Sequence, residues 1–172
     1  ATTRVNAGGT SQTLDINTAS KVGLLLFDGT QGSYLTLDLT TFTINPTTGS
    51  VTYEIYSPQG ALIASGNVLA TARTIHIPAL PQSGTYSIYF KPGAATANFT
   101  AVIADDKAIA IDGAARNDII SFTGQSKRLT FVGTVGQNLG LGISGLTLLP
   151  TSATYATVTV YKPDGSILIV YK

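Results

Sequence analysis

The sequence predicts an all-β protein of two tandem antiparallel β-sandwich modules, Ig-like or jelly-roll-like, of which the second is incomplete. Three observations predict this fold. Apolar residues alternate with polar ones along many short segments, which is the period of half-buried strands. Glycine and proline residues separate these segments, and no segment has a helical period. The two halves of the chain also match each other, which indicates a repeated unit.

The composition excludes several classes of protein. Charged residues make up 11% of the chain and the net charge is +1, with the basic residues scattered. We therefore expect no nucleic-acid partner and no electrostatic attachment to a membrane. The chain has no cysteine, which excludes disulfides, thiolate catalysis and cysteine-ligated zinc. Its longest apolar runs are too short to cross a bilayer, so we expect no membrane insertion.

Two glycine-containing motifs carry the internal match. Residues 27–32 (FDGTQG) match residues 131–136 (FVGTVG) at an offset of 104. Residues 57–60 (SPQG) match residues 162–165 (KPDG) at an offset of 105, so one residue is inserted between the motifs. Upstream the predicted offset is 106, with four matched pairs: Val5 with Ile111, Leu14 with Ile120, Ile16 with Phe122, and Ser20 with Ser126.

Each predicted strand of the first copy follows from a period of two and ends at a turn. Leucines alternate with polar residues in residues 34–39 (YLTLDL), which predicts a strand with one buried face. Residues 51–55 (VTYEI) repeat this alternation and lead into a turn with proline at its second position and glycine at its fourth, which predicts a hairpin. Further strands are predicted at residues 74–77, 85–90 and 97–103.

A small charge cluster marks the predicted boundary between module one, residues 1–104, and module two, residues 105–172. At the offset of 105, Lys172 corresponds to Asn67, so the last 37 residues of module one (104 − 67 = 37) have no counterpart. A half-built sandwich exposes apolar side chains and unpaired strand edges. We therefore expect something to complete it.

Two explanations for the unfinished module remain open. Either the chain is an excerpt of a longer protein, or strands from a neighbouring chain complete the module by donor-strand complementation and build a fibre. In the second case residues 2–16 are a candidate donor. The chain starts at Ala1 and has no methionine, which fits a processed N-terminus after removal of an export leader as well as the start of an excerpt.

Few residues are typical of catalysis. His76 is the only histidine, and isoleucines alternate with it, so we expect it to stand alone on the solvent face of a strand. Glu54 and Asp38 lie on the polar faces of different predicted strands, and nothing in their spacing pairs them for glycoside hydrolysis. We therefore expect that the protein is not an enzyme.

Aspartates near the module boundary are candidate calcium ligands. Asp105, Asp106 and Asp112, together with Asp28, carry the carboxylate oxygens that calcium prefers. Their spacing lacks the alternating Asp, Asn and Gly of a calcium-binding loop, and Lys107 follows directly. Apart from a structural calcium ion at these residues, we expect no cofactor.

Tyrosines provide the alternative of a carbohydrate-binding surface, because aromatic rings stack on sugars. The chain has no tryptophan, the favoured platform for such stacking. The alternative to a structural role is therefore a carbohydrate-binding module of a secreted protein that contacts surface glycans. The tyrosines considered are Tyr34, Tyr56, Tyr86, Tyr89, Tyr155, Tyr161 and Tyr171.

Three motifs of the first copy resemble a known group of modules: residues 26–32 (LFDGTQG), 56–60 (YSPQG) and 80–86 (LPQSGTY). They are similar to repeated β-sandwich modules of large exported bacterial proteins, including stretches beside YD-repeat regions, and more distantly to bacterial pre-peptidase C-terminal domains. The resemblance implies an extracellular or cell-surface location and a non-catalytic structural or adhesive role. The expected partners are neighbouring copies of the chain or adjoining modules of a longer one, as in a filament.

Overall fold

The alternation of apolar and polar side chains produces extended strands throughout residues 1–105. The computed structural model describes residues 1–172 and contains no helix. The strands predicted at residues 74–77, 85–90 and 97–103 are present, each slightly longer than predicted. The strands of this region are β1 (Thr2–Arg4), β2 (Gln12–Ile16), β3 (Gly23–Gly29), β4 (Leu35–Asn45), β5 (Val51–Tyr56), β6 (Leu62–Val68), β7 (Arg73–Ile77), β8 (Gly84–Lys91) and β9 (Thr96–Asp105).

These nine strands form two sheets. One sheet has the order β1-β3-β8-β5-β6 and the other has the order β2-β9-β4-β7. Neighbouring strands are antiparallel except for β1 and β3, which are parallel. The inward side chains of both sheets belong to one buried apolar cluster. The predicted all-β class is confirmed, and the arrangement is that of a β-sandwich.

Aromatic rings connect the two sheets in the core. Phe90 of β8 lies 4.7 Å from Phe99 of β9, measured between ring centroids, although these strands belong to different sheets. Phe99 also stacks on Phe42 at 4.8 Å, and all three rings are buried. Aromatic pairs at such distances stabilise a core beyond the area that they bury. Contacts between the aromatic rings of β8 and β9 therefore join the two layers of the sandwich.

The chain divides into two compact units, residues 1–133 and residues 134–172. The first contains the sandwich and a short parallel pair, β10 (Lys107–Ala108) with β11 (Leu129–Thr130). The second contains one antiparallel hairpin, β12 (Val158–Tyr161) with β13 (Ile167–Tyr171). The module boundary before Asp105 is drawn from the repeat and stays a prediction. The chain has no helix whose length and hydropathy suit a membrane span.

Left-handed backbone positions in residues 1–67 recur in residues 105–172. Every residue with positive φ in residues 1–67 has a positive-φ counterpart in residues 105–172. The offset is 104 for the first four pairs and 105 for the last. The pairs are Gly8 and Asp112 (φ 70° and 54°), Ser20 and Gly124 (62° and 89°), Gly32 and Gly136 (both 80°), Thr41 and Gly145 (47° and 64°), and Gly60 and Gly165 (83° and 82°).

Backbone hydrogen bonds recur at the same offsets. The Val5 amide donates to the Leu26 carbonyl at 2.9 Å, and 104 residues later the Ile109 amide donates to the Thr130 carbonyl at 2.8 Å. The upstream offset of 106 is therefore wrong. Ser20 corresponds to Gly124 rather than to Ser126, because the shared feature is the left-handed turn and not the identity of the side chain.

Candidate functional site

His76 lies on the outer face of the four-stranded sheet, between the buried isoleucines of β7. The prediction that it stands alone is wrong. Its Nε2 lies 2.8 Å from the Ser126 hydroxyl and its Nδ1 lies 3.1 Å from the Thr36 hydroxyl. Burial lowers the pKa of His76 below its ordinary value of 6.5, and the positive charge of Arg128 acts in the same direction, against the opposing effect of Asp106 and Asp38. At neutral pH the ring is uncharged.

The hydrogen bonds of Thr36 determine which ring nitrogen of His76 carries the proton. The Thr36 hydroxyl donates its single hydrogen to the Asp106 carboxylate, so it accepts from the His76 Nδ1–H. The Nε2 atom then accepts from the Ser126 hydroxyl. This serine–histidine pair lacks the carboxylate that orients the histidine of a hydrolytic triad directly. Two surface depressions of the sandwich lie away from this pair, one beside Asn17 and the other beside Lys91.

Ser126 belongs to a segment of polar residues, 123–128, that lies along β7 and β4; we call it the strap. The Gly124 carbonyl accepts from the Thr74 amide at 3.3 Å, which pairs a backbone group of the edge strand β7. The Gln125 side chain donates to Asp38 at 2.7 Å, and the Ser126 amide donates to the Thr74 hydroxyl at 3.2 Å. The strap therefore covers a sheet edge that would otherwise be free to pair with another chain.

Arg128 fastens the end of the strap. Its Nη2 atom donates to the carbonyls of Leu35, at 3.0 Å, and Ile77, at 2.7 Å, and its Nε atom forms an ion pair with the Asp106 carboxylate. The guanidinium also lies 5.1 Å from the centre of the Tyr34 ring. The Asp106 side chain is 2% exposed, so this pair is largely removed from water. Sequence reasoning missed the strap, because its residues are polar and have no period.

The candidate calcium ligands do not converge. Asp106 is engaged by Thr36 and Arg128, whereas Asp28 accepts from Arg4 at 2.9 Å and from Thr85 at 2.6 Å. Asp112 lies in the turn closed by the hydrogen bond from Gly113 to Ala110, and Asp105 ends β9. No group of three His, Asp or Glu side chains in residues 1–172 is placed to hold a metal ion.

Glu54 and Asp38 lie in different sheets and have separate partners. Glu54 accepts from the Lys91 ammonium at 2.6 Å and from the Tyr56 hydroxyl at 2.7 Å. The hydrogen bond from Lys91 is the largest cause that lowers the pKa of Glu54, followed by that from Tyr56. Tyr56 also meets Tyr89 edge to face at 5.6 Å. Two tyrosines and two charged groups thus form a small outer patch, residues Glu54, Tyr56, Tyr89 and Lys91, on the five-stranded sheet.

The hairpin of residues 134–172 reproduces the hairpin of β5 and β6 but lacks a neighbour. Both hairpins have a bulge at the same place, between Ile55 and Tyr56 in one and between Val160 and Tyr161 in the other. In the sandwich β5 pairs with β8 along its other edge. That edge of β12 pairs with no strand of the chain.

Side chains that are buried in the sandwich are exposed at the positions to which the predicted repeat matches them. Leu37 of β4 is 0% exposed, whereas its counterpart Leu141 is 58% exposed. In the sandwich β4 lies between β9 and β7, and neither has a counterpart in the second copy. Residues 139–149 therefore have no partner for a backbone ladder and form no strand, although they alternate in the same way.

Comparisons with known proteins give similarities of low identity. No protein-family model matches the chain, and no curated protein matches it. The pre-peptidase C-terminal domain of a collagenase from Bacillus anthracis is similar at 11% identity and a TM-score of 0.46, over 60% of this chain and 94% of that one. PliG, a periplasmic inhibitor of g-type lysozyme from Aeromonas hydrophila, is similar at 16% identity and a TM-score of 0.39, over 62% of this chain and 100% of that one. At these values neither similarity carries an inference about function.

Proposed function

We propose that the chain is part of a non-catalytic structural protein that acts outside the bacterial cytoplasm, at the cell surface or in the extracellular space. Its first module is a complete β-sandwich, and its second, residues 105–172, is an incomplete one that added strands complete. Completion of this kind joins neighbouring copies or adjoining modules into an adhesive or filamentous array. The observation that carries the proposal is the recurrence of left-handed positions in a segment without the central strands.

The recurrence of left-handed positions supports two modules of one type. Residues other than glycine rarely adopt positive φ, yet Ser20 and Thr41 do so in the first copy and Asp112 does so in the second. Each is matched by a glycine at the corresponding position of the other copy. The two segments therefore share their sequence of turns even where side chains differ.

The position of the absent strands supports completion by strand addition. In the first module β8 lies between β3 and β5, and β9 lies between β2 and β4. Loss of a central strand divides a sheet into separate pieces, whereas loss of an edge strand leaves it whole. Residues 105–172 lack counterparts of both central strands, so each sheet of the second module requires an inserted strand to form.

The outer surface of the first module supports a non-catalytic role. The one serine–histidine pair fastens the strap to β7, and its histidine is oriented by Thr36. Asp38 accepts a hydrogen bond from Thr74 and Glu54 accepts one from Lys91, so the two carboxylates do not form a pair. The proposed location rests on the motif resemblance to exported modules.

Hydrogen–deuterium exchange tests the proposal, with the β5–β6 hairpin as an internal control for the β12–β13 hairpin. In the isolated 172-residue chain we expect slow exchange in β5 and fast exchange in residues 134–172. In the protein from its native source we expect slow exchange in both. Slow exchange of residues 134–172 in a monomeric isolated chain would show a module that needs no completion and would refute the proposal.

A second candidate function, carbohydrate binding, is favoured by the outer patch. Tyr56 and Tyr89 present aromatic surface beside the charged groups of Glu54 and Lys91, which suits stacking and hydrogen bonding to a sugar. On a glycan array we expect any binding to be lost in the variant Tyr89→Ala and kept in Tyr161→Ala, which removes an exposed tyrosine elsewhere. An array without hits, beside a positive lectin control, would remove this candidate.

A further inference from the structure

A polar depression of about 200 Å³ lies on the outer face of the four-stranded sheet, where β2 and β4 end and β9 begins. Asp15 and Asn98 each lie between two residues of the buried core, so both side chains face outward. Strand pairing places Asp15 opposite Asn98, and Asn98 opposite Thr43. One row of polar side chains therefore crosses three strands. The polar lining consists of Asp15, Asn17, Thr43, Asn45, Thr96 and Asn98.

A second row of polar side chains lies beside the first. Thr96 is opposite Asn45 across the β9–β4 ladder, and Asn17 directly follows the last residue of β2. The two rows are separated by two residues along each strand, which is about 7 Å, and neighbouring strands lie about 5 Å apart. Two rows of three polar side chains thus surround one small cavity.

A bulge in β4 turns the last part of this strand toward the depression. One extra residue lies between the pair Thr40 with Thr100 and the pair Thr43 with Asn98. The extra residue reverses the alternation, so that Thr43 and Asn45 face outward, whereas without it they would face the core. Bulges are common beside active sites, where they re-aim side chains. Two of the six polar side chains therefore owe their direction to this bulge.

Most of the polar lining forms no side-chain hydrogen bond within the protein. The Thr43 hydroxyl donates to the Asn98 carbonyl at 3.3 Å, and the Asn17 carboxamide accepts from the Thr18 hydroxyl at 3.2 Å. The remaining side chains have donors and acceptors that no neighbour uses, and they are those of Asp15, Asn45, Thr96 and Asn98. These groups are available to a ligand.

Asp15 differs in this respect from the other acidic residues of the sandwich. Its carboxylate accepts no hydrogen bond from another side chain, although it lies among three carboxamides. The other carboxylates of residues 1–104 each accept at least one such bond, and they belong to Asp28, Asp38 and Glu54. The sandwich therefore uses its other carboxylates to connect strands and leaves this one free at the depression.

The chemistry of the lining favours a neutral ligand that carries several hydroxyl groups. A sugar hydroxyl both donates and accepts, a carboxamide presents a donor and an acceptor side by side, and a carboxylate accepts from two hydroxyls. The charge of Asp15 disfavours an anion. Calcium takes about 6–8 oxygen ligands, and one carboxylate supplies little of the charge that such an ion requires. The volume lies below the roughly 300–1,000 Å³ of sites for drug-sized ligands, which suits a single sugar ring.

We propose that this depression binds one ring of a neutral sugar, with Asp15 and Asn98 holding neighbouring hydroxyls and Asn45 and Thr96 contacting the other side of the ring. The inference goes beyond the proposed structural function and does not depend on it. The site is also separate from the outer patch of Tyr56 and Tyr89, which lies on the five-stranded sheet.

Amide chemical shifts of the full 172-residue chain test the inference. The chain is titrated with the methyl glycosides of glucose, mannose, galactose and N-acetylglucosamine. We expect at least one of them to cause saturable shifts in residues 15–17, 43–45 and 96–98. Equal affinity for that glycoside and for a longer glycan ending in the same sugar would identify the free ring as sufficient. Much tighter binding of the glycan would identify a surface glycan as the source of the ring.

A double variant and a matched control locate the site. Asp15→Ala with Asn98→Ala removes two side chains that have no partner in the protein, so we expect the fold to remain and the affinity to fall by roughly 10-fold or more. Unchanged shifts in β3 and β8 verify the fold. The control is Thr13→Ala, on the same face of β2 but outside the depression, and we expect it to bind as the native chain does.

Three results would overturn the inference. The first is the absence of saturable shifts around the depression with every glycoside, and the second is equal binding by the native chain and the double variant. The third is a response to calcium chloride alone, which would indicate a cation site instead. Shifts confined to Tyr56 and Tyr89 would also contradict it and would support the second candidate function. The proposed structural function is tested separately by hydrogen exchange in residues 134–172, so its failure and that of the sugar site are distinguishable.

Discussion

Arg128 and Asp106 form an ion pair across twenty-two residues of sequence, and the carboxylate of that pair is almost fully removed from water. Asp106 directly follows β9, and Arg128 ends the strap and also binds the carbonyls of Leu35 and Ile77. The pair thus fastens residues that follow the sandwich to the sheet edge formed by β7. A buried charge that loses its partner is costly, so this contact can be tested directly.

Replacement of Arg128 is expected to destabilise the sandwich. In Arg128→Ala the Asp106 carboxylate keeps only the Thr36 hydroxyl as a partner, and two carbonyls lose their donor. We expect a loss of about 2–4 kcal/mol in the free energy of unfolding, measured by urea denaturation. The matched control is Arg116→Ala, which breaks the Arg116–Asp118 pair and should leave the midpoint unchanged. Equal shifts in the two variants would contradict a stabilising role for the buried pair.

Protonation of His76 is expected to lower the free energy of unfolding as the pH falls below 6.5. Its pKa in the folded state is lowered below 6.5, so the unfolded chain binds the proton more readily than the folded one. The contribution is fully present above pH 6.5 and is lost as pH falls from there towards the lowered folded pKa. Urea unfolding between pH 5 and 8 should show this fall in the native chain and a smaller one in His76→Gln. Identical profiles for the two proteins would exclude His76 as its source.

Equivalent leucines in the two copies are expected to differ in their contribution to stability. Leu37→Ala removes a fully buried side chain and should cost about 2–5 kcal/mol. Leu141→Ala removes its exposed counterpart and should leave the unfolding free energy of the isolated chain nearly unchanged. Both are measured by urea denaturation. A large cost for Leu141→Ala would mean that residues 134–172 already pack in the isolated chain.

Chelation is expected to leave thermal stability unchanged. The Asp106 carboxylate is engaged by Thr36 and Arg128, and Asp28 is paired with Arg4. We therefore expect the same melting temperature with EDTA and with added calcium, compared at equal ionic strength. A midpoint that rises with calcium and falls with EDTA would establish a bound ion and contradict this expectation.

The sequence was sufficient to predict several of the strands that have one buried face, because burial of one face imposes a period of two. This holds for β7, β8 and β9, which were each predicted to within two residues at either end. The strap was not predictable in this way, because Gln125, Ser126 and Arg128 act through polar contacts with strands distant in sequence.

The order of strands within each sheet could not be predicted from the alternation of apolar and polar residues either. Alternation shows that a segment is a strand but does not say which strand is its neighbour. The central positions of β8 and β9 follow from long-range pairing, as between Leu25 and Ile88. The predicted upstream offset of 106 differs from the structural offset of 104, because a match of apolar residues does not show the left-handed turn that Ser20 and Gly124 share.

The central positions of β8 and β9 also determine when the first module can fold. Both strands come at the end of the module, and neither sheet can close before they are present. During synthesis the chain therefore has no stable sandwich until residue 105 has left the ribosome, and the contacts that then form are distant in sequence. Such contacts make folding slow. A sandwich built in this order stays open until its last strand has been made, and its two layers are joined in a single late step.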